Sequence, residues 1–276
     1  MPREVRFTVL GPVRGWHGKS ELELGAPQQR AMLAMLLLAR GRQVPLDGLI
    51  DGLWGEQVPR TATGTVRAYA SRLRRVVDPG AGRRREQVIQ SAGDGYLIQP
   101  SSVLLDLSTF ERRVQGARAA RDRHDTAVSV RLLRDALGLW QGAALAGVPG
   151  PYADSQRALL TELRLAAAEE KLTLEISLGE HARAVAELQA LVAEQPFRER
   201  LVELLMLALY RAGRQAEALL AYEATRHRLG NELGIDPGPA LRTMHQRVLQ
   251  ADRHLMDAPG LRLARLGNGV GVFGAA

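Results

Sequence analysis

The sequence predicts a mostly α-helical protein: an N-terminal winged helix-turn-helix, with short strands, three helices and a β-hairpin wing, followed by an all-α tetratricopeptide-like domain. Three observations predict it. The first hundred residues run from short β-prone stretches through three helical patterns to a second β-prone pair. Strand signals vanish from Ser108 onward. A glycine-centred pattern then recurs, with Gly179 and Gly213 standing 34 residues apart.

Taken in order, residues 5–10 form an apolar strand that ends at Gly11-Pro12, and residues 21–24 alternate with period two. From Gln28 the apolar residues Ala31, Leu33, Ala34, Leu37 and Leu38 mark a helix that starts behind Pro27 and stops at Gly41. Leu46, Leu49, Ile50, Leu53 and Trp54 mark a second helix, with Asp47 in its first turn and Gly55 at its end. A third spans residues 61–77 and is stopped by Asp78-Pro79-Gly80. Residues 88–91 and 96–99 are β-prone and joined by Ala92-Gly93-Asp94-Gly95, which predicts a hairpin.

Further helices are expected over about 108–121, 126–140, 151–178, 181–194, 199–212, 214–229 and 237–253. The expected domains are 1–102, winged helix; 103–256, helical; and 257–276, a glycine-rich tail read as poorly ordered. Laying residues 178–188 over 212–222 aligns the glycines and following alanines, the signature of paired-helix repeats, although an ordinary helical bundle fits the same pattern.

Composition sets limits on function. The chain has 276 residues, 46% hydrophobic and 24% charged, with no apolar run near the roughly 18 residues of a membrane span. No cysteine is present, which excludes disulfides and thiolate sites. The N-terminus enters a strand without a signal-peptide plan, so a cytoplasmic, nucleoid-associated protein is expected, with no membrane partner. The six histidines form no His-Glu-x-x-His pair, and no Gly-x-Ser-x-Gly elbow occurs. Residues 267–271 resemble a glycine loop but have no helix behind them. The expectation is no enzyme, no cofactor and no metal.

Charge is distributed unevenly. Residues 1–100 hold 15 basic and 9 acidic side chains, whereas residues 101–276 hold 22 and 21. Between residues 60 and 85, eight arginines face one acid, Asp78, which reads as a polyanion-facing patch. The alternative is a solvated arginine-rich surface, since the chain has 35 arginines and two lysines. On a helical wheel the third helix places Val66, Ala70, Leu73 and Val77 on one face, with Tyr69 at its margin. Thr61, Gly64, Ala68, Ser71, Arg72 and Arg75 gather opposite, flanked by Arg67 and Arg74. Small residues let a helix approach base edges, while arginine bonds guanine bidentately or clamps phosphate. Thr61 and Thr63 are candidate caps beside N–H groups that can hold a phosphate. Gln90 and Ser91 are the wing's candidate contacts, and Asp94 reads as a turn former. Arg83, Arg84 and Arg85 are candidate phosphate partners or a basic loop.

Several stretches carry a family likeness: residues 28–38 (QQRAMLAMLLL), 49–55 (LIDGLWG), 67–75 (RAYASRLRR), 204–214 (LLMLALYRAGR) and 231–238 (NELGIDPG). Together they resemble the Streptomyces antibiotic regulatory protein family, activators of secondary-metabolite gene clusters, over about residues 5–255. The resemblance implies an OmpR-type winged helix, a bacterial transcriptional activation domain, and binding of direct repeats in double-stranded promoter DNA near the −35 region. It also implies a dimer on DNA and recruitment of RNA polymerase holoenzyme. By position it puts Arg67, Ser71, Arg72 and Arg74 on the DNA-facing side of the recognition helix. It places Gly55, Glu56, Gln57, Val58 and Arg60 in the loop that contacts polymerase, including its sigma subunit. Larger relatives continue into an ATPase region, and no Gly-x-x-x-x-Gly-Lys loop occurs here, so a small member and a piece of a large one both fit. A rival reading is a protein-interaction adaptor whose basic N-terminal module docks on nucleic acid without reading bases.

Overall fold

A computed structural model describes residues 5–78 and 87–256; the expected tail over 257–276 and Arg83, Arg84 and Arg85 lie outside the described residues. Contacts divide the chain into two compact units, Met1–Ala119 with Arg131–Ala167, and Ala120–Val130 with Ala168–Ala276.

The first unit opens with β1 (Val5–Thr8), β2 (Arg14–His17) and β3 (Ser20–Glu21), joined later by β7 (Val103–Leu105) in the order β3-β2-β1-β7. β1 runs antiparallel to β2 and parallel to β7. Val5 and Phe7 point into the core while Arg6 lies outside with its guanidinium 4.5 Å from the Trp16 ring centroid. The period-two stretch 21–24 is a strand only at its start. Leu22 N still donates to the Gly15 carbonyl of β2 at 2.8 Å, and beyond it Leu24 is buried with its carbonyl accepting from Gln29 Nε2 at 2.9 Å. The alternation reflects strand pairing at Glu21 and Leu22 and packing at Leu24.

α1 (Pro27–Leu38) is buried on nearly every side, as its continuous apolar run requires, and forms the centre of the unit. β4 (Val44–Pro45), α2 (Leu46–Trp54) and α3 (Ala62–Val77) follow. The hairpin of β5 (Ile89–Ala92) and β6 (Gly95–Ile98) takes β4 as a third strand, giving the order β4-β6-β5. This is the winged helix the sequence predicts.

After β1 the chain leaves the strand with Val9 and Leu10 fully buried, so their peptide groups need partners. The Asp106 carboxylate accepts from Val9 N and Leu10 N at 3.0 Å and from Leu107 N at 2.7 Å. The carbonyls of Leu10, Val9 and Gly11 accept from Gln141 N (2.8 Å), Leu145 N (3.0 Å) and Ala146 N (3.2 Å). Gly150, at φ +105°, then passes so close to α2 that an added Cβ would lie 2.9 Å from the carbonyl oxygens of Gly52 and Leu53. Residues beyond the expected boundary at 102 are thus built into the first unit.

α4 (Asp106–Asp122), α5 (Thr126–Leu137) and α6 (Pro151–Ser177) contribute to both units. The second unit continues with α7 (His181–Glu194), α8 (Glu199–Arg211), α9 (Gln215–Arg228) and α10 (Pro239–Leu249). α6 and α8 end in the same way. Gly179 and Gly213 take φ +87° and +76°; Glu180 N and Arg214 N reach back to the carbonyls of Glu175 (3.0 Å) and Leu209 (2.9 Å). These are two Schellman ends at the repeat spacing read from sequence. Lys171 is buried here against Glu187 and, at 3.5 Å, Glu175. The expected helix 214–229 instead stops at Arg228 and gives way to a π-helical turn, Leu229–Leu233.

Burial raises the Asp106 carboxyl above its ordinary value, against the pull of the backbone N–H groups that bond it. In Asp106→Asn an amide NH₂ would face one of those donors, with an expected loss of about 1–3 kcal/mol. The folded state holds the Asp106 proton more tightly than the unfolded one. Its contribution is therefore fully present below the ordinary carboxylate value and is lost as pH rises through the raised one. Urea unfolding of wild type and variant from about pH 3 to pH 7 checks this: the wild-type advantage should shrink as pH rises, and an advantage that grows would contradict it.

Candidate nucleic-acid interface

α3 is held by its apolar side. Ala62, Val66, Tyr69, Ala70, Leu73 and Val77 are buried, and the Tyr69 hydroxyl donates to Gln28 Oε1 at 3.1 Å, tying the helix to the start of α1. The outward side exposes Thr63, Gly64, Arg67, Ser71, Arg72 and Arg75, with Ala68 half-buried among them. Among the described residues no carboxylate pairs with Arg67, Arg72 or Arg75. Among the described residues their positive charge is therefore not neutralised, and their donors are open to an anion. Gly64 has open space around it, so its lack of a side chain answers no packing need among the described residues.

Two expectations require correction. Thr61 occupies the N-cap position of α3 but makes no side-chain cap. The turn in which Ala62 N bonds the Pro59 carbonyl (2.9 Å) holds Thr61 at φ −94°, ψ 7°, away from the extended conformation from which a capping hydroxyl reaches the first turn. Its carbonyl instead accepts from the Thr65 hydroxyl at 3.0 Å. Thr63 lies exposed in that first turn and makes no cap either.

The second concerns Arg74, which does not share the outward face. It is half-buried and turned to the wing, donating to the Ile89 carbonyl (2.9 Å) and to Ser91 Oγ (2.8 Å). Residue spacing places Arg74 beside the outward face, and the extra turn toward the hairpin depends on β5, which no helical wheel contains.

The wing is fastened at several points. Val44 and Pro45 of β4 pair with Tyr96 and Gly95 of β6, and at the tip Gln43 Nε2 donates to Asp94 Oδ1 at 2.9 Å. Asp94 thus acts as the turn residue the sequence suggested. At the root the Asp78 carboxylate accepts from Val88 N at 2.8 Å, and burial raises its carboxyl despite that bond and nearby Arg74. Gln90 is half-buried and Ser91 exposed on β5. In the loop between α2 and α3, Gly55 takes φ +55°, Glu56, Gln57 and Arg60 are exposed, and Val58 is 47% exposed, an apolar side chain held out in solvent. The sequence does not reveal the clasps made by Gln43, Asp78 and Arg74; there Asp78 reads as the end of a helix and the one acid of the arginine-rich window.

Among the described residues no helix is long and apolar enough to cross a membrane, and no group of three or more His, Cys, Asp or Glu side chains is placed to hold a metal ion.

Residues 19–98 match the family described as the transcriptional regulatory protein C-terminal domain, and residues 105–249 match the bacterial transcriptional activator domain. The chain is 37% identical over 250 residues to the transcriptional regulator RedD of Streptomyces coelicolor, covering 90% of this chain and 71% of RedD. It belongs to the Streptomyces antibiotic regulatory protein family. This family member is also 51% identical over 254 residues to the regulatory protein AfsR of Streptomyces coelicolor, but spans only 25% of that protein's length. Its structure is similar to that of Mycobacterium tuberculosis EmbR in complex with a low-affinity phosphopeptide, with a TM-score of 0.82 at 32% identity, covering 95% of this chain and 71% of that one.

In this family member Gly64 sits inside a helix, where glycine costs stability relative to alanine, yet nothing occupies the space beside it. Gly64→Ala should stabilise the isolated protein by up to about 1 kcal/mol, read as a higher urea midpoint. A lower midpoint would mean that the glycine serves the fold.

Proposed function

We propose that the chain is a sequence-specific DNA-binding activator of antibiotic and other secondary-metabolite genes that binds direct repeats near the promoter −35 region and recruits RNA polymerase. The observation that supports this best is the outward side of α3, where Arg67, Arg72 and Arg75 stand around Gly64, Ala68 and Ser71 with no carboxylate partner among the described residues. Small side chains lower the helix into the major groove, and the arginines then meet guanine N7 and O6 or the flanking phosphates. The first turn of α3 carries no side-chain cap, so its N–H groups suit a phosphate oxygen.

Base reading falls to residues 1–102 and partner contact to residues 103–256, with two protomers side by side on the repeats. The exposed loop of Glu56, Gln57 and Val58 offers polymerase, including its sigma subunit, two polar side chains around one apolar one. The reading places the protein in the cytoplasm, on the nucleoid.

Selection of purified chain on randomised duplex DNA at physiological salt tests the proposal. The expected result is a tandem repeat spaced near one helical turn and preferred by about 10³-fold or more over random sequence. Salt-sensitive binding without enrichment would favour the adaptor instead. On the selected duplex Arg72→Ala should cost about 1–3 kcal/mol if Arg72 reads a base, and unchanged affinity would remove it from the interface. Substituting Glu56 or Gln57 by alanine should leave operator affinity intact and lower transcription in a reconstituted polymerase assay. Equal loss of both would make the loop a support of the fold.

A further inference from the structure

Arg74 differs from the other arginines of α3 in that its donors are engaged by one partner element. Nε bonds the Ile89 carbonyl and Nη2 bonds Ser91 Oγ, both on β5, while the guanidinium carbon lies 5.3 Å from the centroid of the Tyr96 ring on β6. One side chain therefore holds both strands of the hairpin. The contact uses the planar fork of a guanidinium, whose donors point in fixed directions; a lysine ammonium does not reproduce it. With Asp78 bonded to Val88 N at the root and Gln43 to Asp94 at the tip, the wing is set at a fixed distance from α3.

The bond to Ser91 has a chemical consequence. A serine hydroxyl has one proton to donate and two lone pairs. Because Ser91 Oγ accepts from Arg74, its own proton points away from the guanidinium, and Ser91 is exposed. Accepting from a cation also polarises the hydroxyl and makes it a stronger donor.

We propose that Arg74 is a positioning residue that acts on DNA through Ser91, keeping the wing in register with the recognition helix and presenting the Ser91 hydroxyl as a polarised donor to a backbone phosphate. The inference rests on the DNA-reading function proposed above. It moves Arg74 from the direct contacts to the frame behind them and makes Ser91 the contact the wing supplies.

The test is affinity for the selected duplex across a range of salt concentrations for wild type, Ser91→Ala, Arg74→Lys, Arg74→Ala and the double alanine variant, with hydroxyl-radical footprints of each. Ser91→Ala should weaken binding by up to about tenfold, and the double variant should be no weaker than Arg74→Ala alone. Arg74→Lys should fail to restore affinity. Backbone protection should be lost beneath the wing and kept along the recognition helix, with the salt dependence of binding unchanged.

Additive losses, recovery by lysine and a salt slope reduced by about one would identify Arg74 as a direct phosphate contact and overturn the inference. Should Arg74→Ala fail to fold, the surface variant Ser91→Ala decides: full affinity with an intact footprint under the wing overturns it equally. A wild-type chain that prefers no duplex defeats the underlying DNA-reading function, and this inference with it, before any variant is compared.

Discussion

Two buried residues at the end of the first strand set the conditions for the rest of the first unit. Val9 and Leu10 leave the sheet while fully buried, so their peptide groups must be satisfied by something other than a strand. Asp106 supplies the acceptor and the loop at residues 141–146 supplies the donors. Once these are in place, α4 must start where Asp106 lies, and β7, which immediately precedes it, falls into parallel pairing with β1. A single carboxylate thus links the first strand to the start of the helical region, and it is kept there despite the cost of burial.

On this frame α3 is specified from both sides. Its apolar stripe and the Tyr69–Gln28 bond fix its rotation against α1, so the face that carries Arg67, Arg72 and Arg75 is not free to turn inward. The wing is fixed in its turn by strand pairing with β4 and by hydrogen bonds at tip and root. The arrangement favours preorganisation: side chains with no carboxylate partner among the described residues are carried on elements that have little freedom to move.

What could be read from the sequence was mainly local. α7 coincides with the expected 181–194, the buried side of α3 matches its helical wheel, and the interval between Gly179 and Gly213 marks two equal helix ends. What could not be read was set by distant partners. β2, β4 and β7 are two to four residues long and exist because of the strands beside them, which propensity does not register. Thr61 has the right residue type for a cap, but a turn begun at Pro59 sets its backbone. Arg74 lies at a position consistent with DNA contact, and only the placement of β5 turns it aside. Asp106 carried no signal of its own, being one acid among thirty.

The passage of Gly150 beneath α2 bears on how such proteins are recombined. Residue 150 lies within the stretch that matches the activator family, yet its backbone rests on the carbonyls of Gly52 and Leu53 in the helix-turn-helix. A chimera cut between the two matched families would join one relative's α2 to another's residues 138–152. Any side chain at position 150 would then be driven into peptide oxygens, and the carbonyls after β1 would meet foreign donors. Exchangeable pieces of this chain are therefore not the two stretches its family matches suggest. Residues 106–119 and 131–152 belong with the winged helix.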